Sequence, residues 1–185
     1  SEDITYIELL AATGIRGFRV LNEVGLINVI MNDINPYCVR FMHFNAKFFS
    51  SEIQSHATIL NYEANHLLNS IKLWKKTIDA IDIDPFGTPT PFIDSAVRVL
   101  RRRDGLLLVT ATDTSALIGK FPQSARRKYW VYTETTPFGG EVAVRTLIYY
   151  ILNMAAKYGI ALRPLFGFYF MHFIKIALIT IPGKR

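Results

Sequence analysis

The 185-residue sequence predicts an α/β fold, doubly wound, whose mostly parallel seven-stranded sheet finishes in an antiparallel C-terminal hairpin. Three observations carry this expectation. Short apolar runs alternate with segments of helical spacing along the chain. The runs are apolar on consecutive residues, as strands covered on both faces are. The last two runs stand too close together for a helix to separate them.

The elements follow in order. Ile4 to Ala11 reads as a strand that stops at Thr13-Gly14, and Ile15 to Val24 as a helix ended by Gly25. Ile27 to Met31 is the second strand, closed by Asn32-Asp33. Asn35-Pro36 then offers an N-cap followed by proline in the first turn of a helix running to about Phe49. Ala57 to Leu60 with a helix near Ala64 to Lys75, and Ile78 to Ile83 with a helix near Pro91 to Arg103, repeat the cycle. Leu106 to Ala111 repeats it again, before a less regular segment and a long helix around Glu141 to Tyr158. Leu162 to Phe170 and His172 to Ile181 should be two adjacent core strands that pair antiparallel.

Composition fits one compact domain: half of the residues are in the hydrophobic set, and 19% are charged. The lone Cys38 leaves no partner for an internal disulfide or a cysteine cluster, suits a reducing cytosol, and is expected to act as a small buried hydrophobe. Lys and Arg outnumber Asp and Glu by 21 to 15, a net charge of +6, which leans towards a polyanionic partner such as RNA. The clearest clusters are Arg98 with Arg101, Arg102 and Arg103, and Arg126 with Arg127 and Lys128, each equally readable as a solvated helix face. No charged-then-apolar leader stands at the start. Arg163, Pro164, His172 and Lys175 interrupt the most apolar stretch, which argues against a membrane span. His43, His56, His66 and His172 show no ligand spacing, so no metal is expected.

In an open α/β sheet the ligand lies at the carboxyl ends of the strands, so the residues just after each strand carry the chemistry. Ala11-Ala12-Thr13-Gly14-Ile15-Arg16-Gly17 is a small-residue turn that lets backbone N–H groups approach a ligand, but it lacks the G-x-G-x-x-G spacing of nicotinamide and flavin sites. Asp33 follows about 20 residues later, where a carboxylate can take both hydroxyls of a ribose; capping of the next helix is the alternative. Glu63 could accept from an adenine amino group or simply answer a helix dipole. The fourth strand ends in Asp82-Ile83-Asp84-Pro85-Phe86-Gly87-Thr88-Pro89, a poor structural plug and a good site for an aromatic amine. Asp84 and the Pro85 carbonyl can accept its N–H bonds and turn the nitrogen, while Phe86 can stack on an extracted base.

These blocks, with Glu8 to Arg16, Asn32-Asp33-Ile34, Glu63-Ala64-Asn65, Phe92-Ile93-Asp94-Ser95-Ala96 and Thr110-Ala111-Thr112-Asp113, resemble the tRNA (guanine(26)-N2)-dimethyltransferase family in order along nearly the whole chain. Arg127-Lys128-Tyr129, Glu141 and Arg145 also look like family positions. The resemblance implies a class I methyltransferase, Rossmann-like, cytosolic, that uses S-adenosylmethionine to methylate N2 of a tRNA guanine. It implies cofactor contacts at Glu8 and the turn Thr13, Gly14, Ile15 and Arg16 for the methionine part, at Asp33 for the ribose and at Glu63 with Ala64 for the adenine, with Ala11, Ile34 and Asp82 as further cofactor-binding positions. Asp84, Pro85, Phe86 and Gly87 would form the acceptor site.

The family also has a segment before the first strand and a tRNA-gripping domain after the last, neither of which is expected within this chain. Where the family favours Asp, Tyr and Arg in its last strand, this sequence has Met171, Phe173 and Lys175. Two other readings stand beside this one: an adenine or cytosine amino-methyltransferase on DNA or another RNA, which shares the fourth-strand chemistry although Phe86-Gly87-Thr88-Pro89 favours the tRNA guanine family, and a non-catalytic cofactor- or RNA-binding subunit that has lost turnover with its flanking parts.

Overall fold

A computed structural model describes residues 4–25, 27–73 and 76–182. β1 (Thr5–Glu8) leads through the turn at Gly14 into α1 (Ile15–Glu23), and β2 (Asn28–Asn32) into α2 (Pro36–Ala46). The side chain of Asn35 accepts the Tyr37 N–H and Pro36 opens the helix, as the Asn-Pro pair predicts. The helix ends before Phe49, whose ring stacks on Phe18 with centroids 4.7 Å apart. Ser50 then caps a short α3 (Ser51–Ser55), an element the sequence pattern did not single out.

β3 (Ala57–Leu60), α4 (Ala64–Leu73), β4 (Ala80–Ile83), α5 (Thr90–Val99) and β5 (Leu106–Ala111) continue the alternation. The expected helix ended at Lys75; Trp74 and Lys75 lie outside the described residues. The irregular segment holds α6 (Thr114–Leu117) and α7 (Pro122–Tyr129), followed by α8 (Gly139–Ala156), β6 (Ala161–Phe170) and β7 (Phe173–Ile181).

The sheet has seven strands in the order β3-β2-β1-β4-β5-β7-β6. Strands β1 to β5 are mutually parallel, and β7 runs antiparallel to both β5 and β6. The order reverses between β1 and β4, so the crevice of the sheet opens where their carboxyl ends meet. Glu8 and Asp82 are direct partners in that pairing. The larger core packs α4, α5 and α8 on one face of the sheet, and a smaller one built on Phe18, Leu21, Met31 and Met42 lies under α1 and α2.

One expectation for the hairpin needs correction. β7 is a core strand, whereas β6 is a solvent-exposed edge from Arg163 onward, which is where Pro164 and an adjacent register shift are tolerated. The face of β6 carrying Gly167 and Tyr169 meets α8, and Gly167 is needed there because a Cβ would come within 2.9 Å of Val144. The opposite face bears Phe166, Phe168 and Phe170, whose rings contact one another or Phe173.

Candidate functional site

Five charged side chains converge at the sheet's switch point. The Asp82 carboxylate is buried and accepts from Arg16 Nη1 at 2.8 Å, from Lys175 Nζ at 2.7 Å and from the Tyr6 hydroxyl at 3.4 Å. Lys175 also donates to Thr110 Oγ1 at 2.9 Å, which ties β7 across β5 to β4. The other guanidinium nitrogen of Arg16 bonds Asp84, and its Nε lies 3.9 Å from Glu8. Glu8 is buried beside Asp82, and its Oε2 accepts the Gly17 N–H at 2.9 Å. A side chain at position 17 would bring its Cβ within 2.6 Å of Met31, so glycine is what allows that backbone N–H to reach the carboxylate.

Three carboxylates thus share two cations. Burial pushes the Glu8 carboxyl up to about 7, although the Arg16 guanidinium and the Gly17 N–H both pull it back. Burial also pushes the Tyr6 phenol far up, helped by Asp82, so it serves as a proton donor to that carboxylate.

The loop after β4 is held by its neighbours. Gly87 N–H donates to Thr112 Oγ1 at 2.6 Å and the Thr112 N–H returns a bond to the Gly87 carbonyl at 2.9 Å. Thr88 donates to the Tyr129 hydroxyl at 2.9 Å, which in turn donates to Asp113 at 2.6 Å, and Lys128 pairs with the same carboxylate at 3.0 Å. Pro85 is buried within this frame, while the Phe86 ring stands fully in solvent. An exposed aromatic on an anchored loop has lost nothing to packing and is free to stack on a planar ligand.

On the other side of the crevice, Gly14 takes a left-handed conformation with φ 70° at the entry to α1. Asp33 Oδ2 accepts the Ala12 N–H and Oδ1 the Asn35 N–H, each at 2.9 Å. The carboxylate therefore pins the β1–α1 turn to the end of β2, and Asn35, not Asp33, caps α2. Each Asp33 oxygen keeps a further lone pair for a ligand hydroxyl.

A cavity of about 970 Å³ lies between these parts, within the range of small-molecule sites. It brings together ten of the positions singled out in the sequence: Glu8, Ala11, Thr13, Ile15, Arg16, Asp33, Ile34, Asp84, Pro85 and Phe86. Cys38, half-buried and not in the core as expected, also lines it. A second cavity of about 520 Å³ holds Asp82 and Lys175 and shares Arg16, Asp84 and Thr112 with the first.

Gly14, Gly87, Glu63 and Ala64 line neither cavity. The two glycines shape the turns beside it. Glu63 caps α4, its carboxylate accepting the Asn65 and His66 N–H groups at 3.0 and 2.7 Å, and Ala64 is packed in the core. The helix-start chemistry, the bland alternative at this position, is what the geometry displays.

Sequence reasoning gave no role to Lys175, Thr112, Tyr129 or Tyr6. Thr112 and Tyr129 sat inside recognisable blocks, but the bonds that make them supports for the Gly87 loop link strands and helices far apart in the chain. Lys175 was legible only as a departure from a family pattern, since its partner Asp82 lies 93 residues away.

The family described as N2,N2-dimethylguanosine tRNA methyltransferase matches residues 1–184. The chain belongs to this family. Curated relatives include the tRNA (guanine(26)-N(2))-dimethyltransferase of Methanopyrus kandleri, 42% identical over 95% of this chain and 45% of the relative. The same-named protein of Methanocaldococcus jannaschii is 38% identical over 96% of this chain and 47% of that protein. The chain spans about half the length of the curated relatives it matches. Among solved structures, Trm1 from Pyrococcus horikoshii in complex with S-adenosyl-L-methionine superposes with a TM-score of 0.85 at 30% identity, covering 97% of this chain and 51% of that one. TYW2 of the same organism, at 14% identity and a TM-score of 0.63, shares the fold.

Within this N2,N2-dimethylguanosine tRNA methyltransferase family member, the basic clusters divide. Arg98, Arg101 and Lys128 pair with Asp94, Asp79 and Asp113, and Arg102 donates to the Tyr158 carbonyl. Arg103, Arg126 and Arg127 point into solvent. No helix among the described residues is long and apolar enough to cross a membrane. No group of three or more His, Cys, Asp or Glu among them could hold a metal ion.

Proposed function

We propose that this chain is the catalytic domain of a tRNA methyltransferase that transfers methyl groups from S-adenosylmethionine to the exocyclic N2 of a guanine, acting in the cytoplasm. The observation that carries the reading is the carboxylate of Asp84, which stands at the end of β4 on the wall of the larger cavity, in a chain of this family.

The residues present fit the cofactor. Glu8 and Arg16 are an acid and a base suited to an amino acid's ammonium and carboxylate, Asp33 to ribose hydroxyls, and Ile15 and Ile34 to the flat faces of a nucleoside. When bound there, S-adenosylmethionine supplies an electrophilic methyl group. Asp84 and the Pro85 carbonyl hold the N–H bonds of the guanine amine and aim its nitrogen, and Phe86 stacks on the base. The amine needs no prior deprotonation. Its proton becomes acidic as nitrogen bonds carbon, and Asp84, partly open to solvent, passes it on. Glu63, whose carboxylate caps α4, and Ala64 line neither cavity, and the reading does not rest on them.

The exposed Arg103, Arg126 and Arg127 supply phosphate contacts, so grip on tRNA by this domain alone is weak and strongly salt-dependent. The curated relatives are about twice as long as this chain, which supports a further tRNA grip supplied by another part of the protein or by a partner. The deciding experiment is a calorimetric titration with S-adenosylmethionine followed by a methyl-transfer assay on bulk tRNA with nucleoside analysis. N2-methylated guanosine supports the reading. Methylated adenine or cytosine, or tight cofactor binding without turnover in the completed protein, would replace it with one of the two other readings.

A further inference from the structure

One oxygen of the group assigned to the acceptor amine is already engaged. Oδ2 of Asp84 bonds the Arg16 guanidinium, which among the described residues is the one side chain that donates to it. Arg16 and Asp84 both line the two cavities, so their ion pair stands where the cavities meet. A carboxylate paired with a guanidinium is a weaker and less freely oriented acceptor for a neutral amine, because the charge-assisted bond is the stronger of the two and holds the group to it.

The surroundings let Arg16 leave. Its side chain is 43% exposed, and of its three acids Glu8 lies at 3.9 Å, beyond hydrogen-bond reach. Asp82 keeps Lys175 at 2.7 Å and the Tyr6 hydroxyl when Arg16 withdraws, and Glu8, buried as well, keeps the Gly17 N–H and can take up a proton as its raised carboxyl allows. An arriving carboxylate presents the fork-on-fork geometry that guanidinium prefers, and it competes with Asp84 directly.

We propose that Arg16 couples the two halves of the site: it holds Asp84 until the carboxylate at the amino-acid end of the cofactor draws the guanidinium away, so that both oxygens of the acceptor carboxylate become available in the cofactor complex. Arg16 is then a positioning residue as well as a cofactor ligand, and binding is ordered, cofactor before base. This rests on the cofactor reading above. The two sites share a coupling energy that is reciprocal by linkage.

The test uses two nucleosides that cannot donate a methyl group. S-adenosylhomocysteine carries the amino-acid carboxylate, and 5′-methylthioadenosine lacks it. tRNA affinity is measured by fluorescence anisotropy with each at saturation, and the Arg16 Nε–Hε resonance is followed by NMR. The expected result is tRNA binding about tenfold tighter with S-adenosylhomocysteine than with methylthioadenosine, and an Arg16 resonance that moves with the first ligand only. In R16Q and in D84N the tenfold ratio should fall to within about twofold, whereas R16K, which keeps the charge, should retain part of it. A wild-type ratio near one with both nucleosides bound would overturn the coupling, as would a ratio that survives in R16Q. If neither nucleoside binds in calorimetry, the cofactor reading fails first and this proposal falls with it.

Discussion

Lys175 on β7 donates to Asp82 on β4 at 2.7 Å, bridging 93 residues of sequence and crossing the intervening strand through Thr110. Asp82 is 2% exposed, so its charge depends on fixed partners. Lys175→Met should cost about 2 kcal/mol of stability, because one carboxylate oxygen loses its cation while Arg16 keeps the other. The double variant Asp82→Asn with Lys175→Met should recover much of that loss. Denaturant midpoints check both, and a single variant within about 0.5 kcal/mol of wild type would show that the pair does not hold the site together.

Asp84→Ala should leave cofactor affinity unchanged or slightly tighter, since Arg16 loses a competing partner. Turnover on tRNA by the complete enzyme should fall by at least about 10²-fold, roughly 2.7 kcal/mol of barrier. Calorimetry and a single-turnover assay separate the two effects. A folded variant that binds cofactor and methylates at near wild-type rate would sink the acceptor assignment.

Phe86→Ala removes a side chain that touches nothing in the fold, so thermal stability should not change. Loss of base stacking should instead raise KM for tRNA, an effect of about 1–3 kcal/mol, with cofactor binding intact. Equal use of tRNA by variant and wild type would remove Phe86 from the site.

Asp33 and Glu63 make opposite predictions although both follow strands and both carry acids. Asp33→Ala should weaken cofactor binding by more than about tenfold, through lost hydroxyl contacts and a released β1–α1 turn. Glu63→Ala should lower stability by about 1 kcal/mol through loss of the α4 cap, with cofactor affinity within about threefold. Paired calorimetry and thermal melts decide, and a strong affinity loss at Glu63 would return it to the site.

Glu8 gives the pH signature. Its carboxyl is raised in the folded chain to about 7 from 4.5, chiefly by burial, so the folded state favours the proton more than the unfolded state does. That contribution is fully present below about 4.5 and is lost as pH climbs towards 7, up to about 3 kcal/mol. Glu8→Gln keeps an acceptor for the Gly17 N–H and should flatten the stability profile across that window, gaining stability above pH 7. An unchanged slope would mean that Glu8 is ionised throughout.

The sequence by itself determined the order of strands and helices, because each strand buried on two faces must be continuously apolar and each helix beside it must be amphipathic. It also determined that Asp33, Asp82 and Asp84 stand at strand ends, since position after a strand is a local property. It misplaced the burial of β6, whose run Leu165 to Phe170 is as apolar as a core strand yet lies at the edge of the sheet. Which strands are edges is a matter of topology and not of local composition. Only the tertiary structure decided that Glu63 spends its carboxylate on a helix N-terminus, that Lys175 answers Asp82, and that Arg16 holds Asp84. Each of the two ion pairs joins residues more than 60 positions apart, and a charge's partner is fixed by distance in space, which the strand order of the sheet, with β1 beside β4 and β7 beside β5, creates.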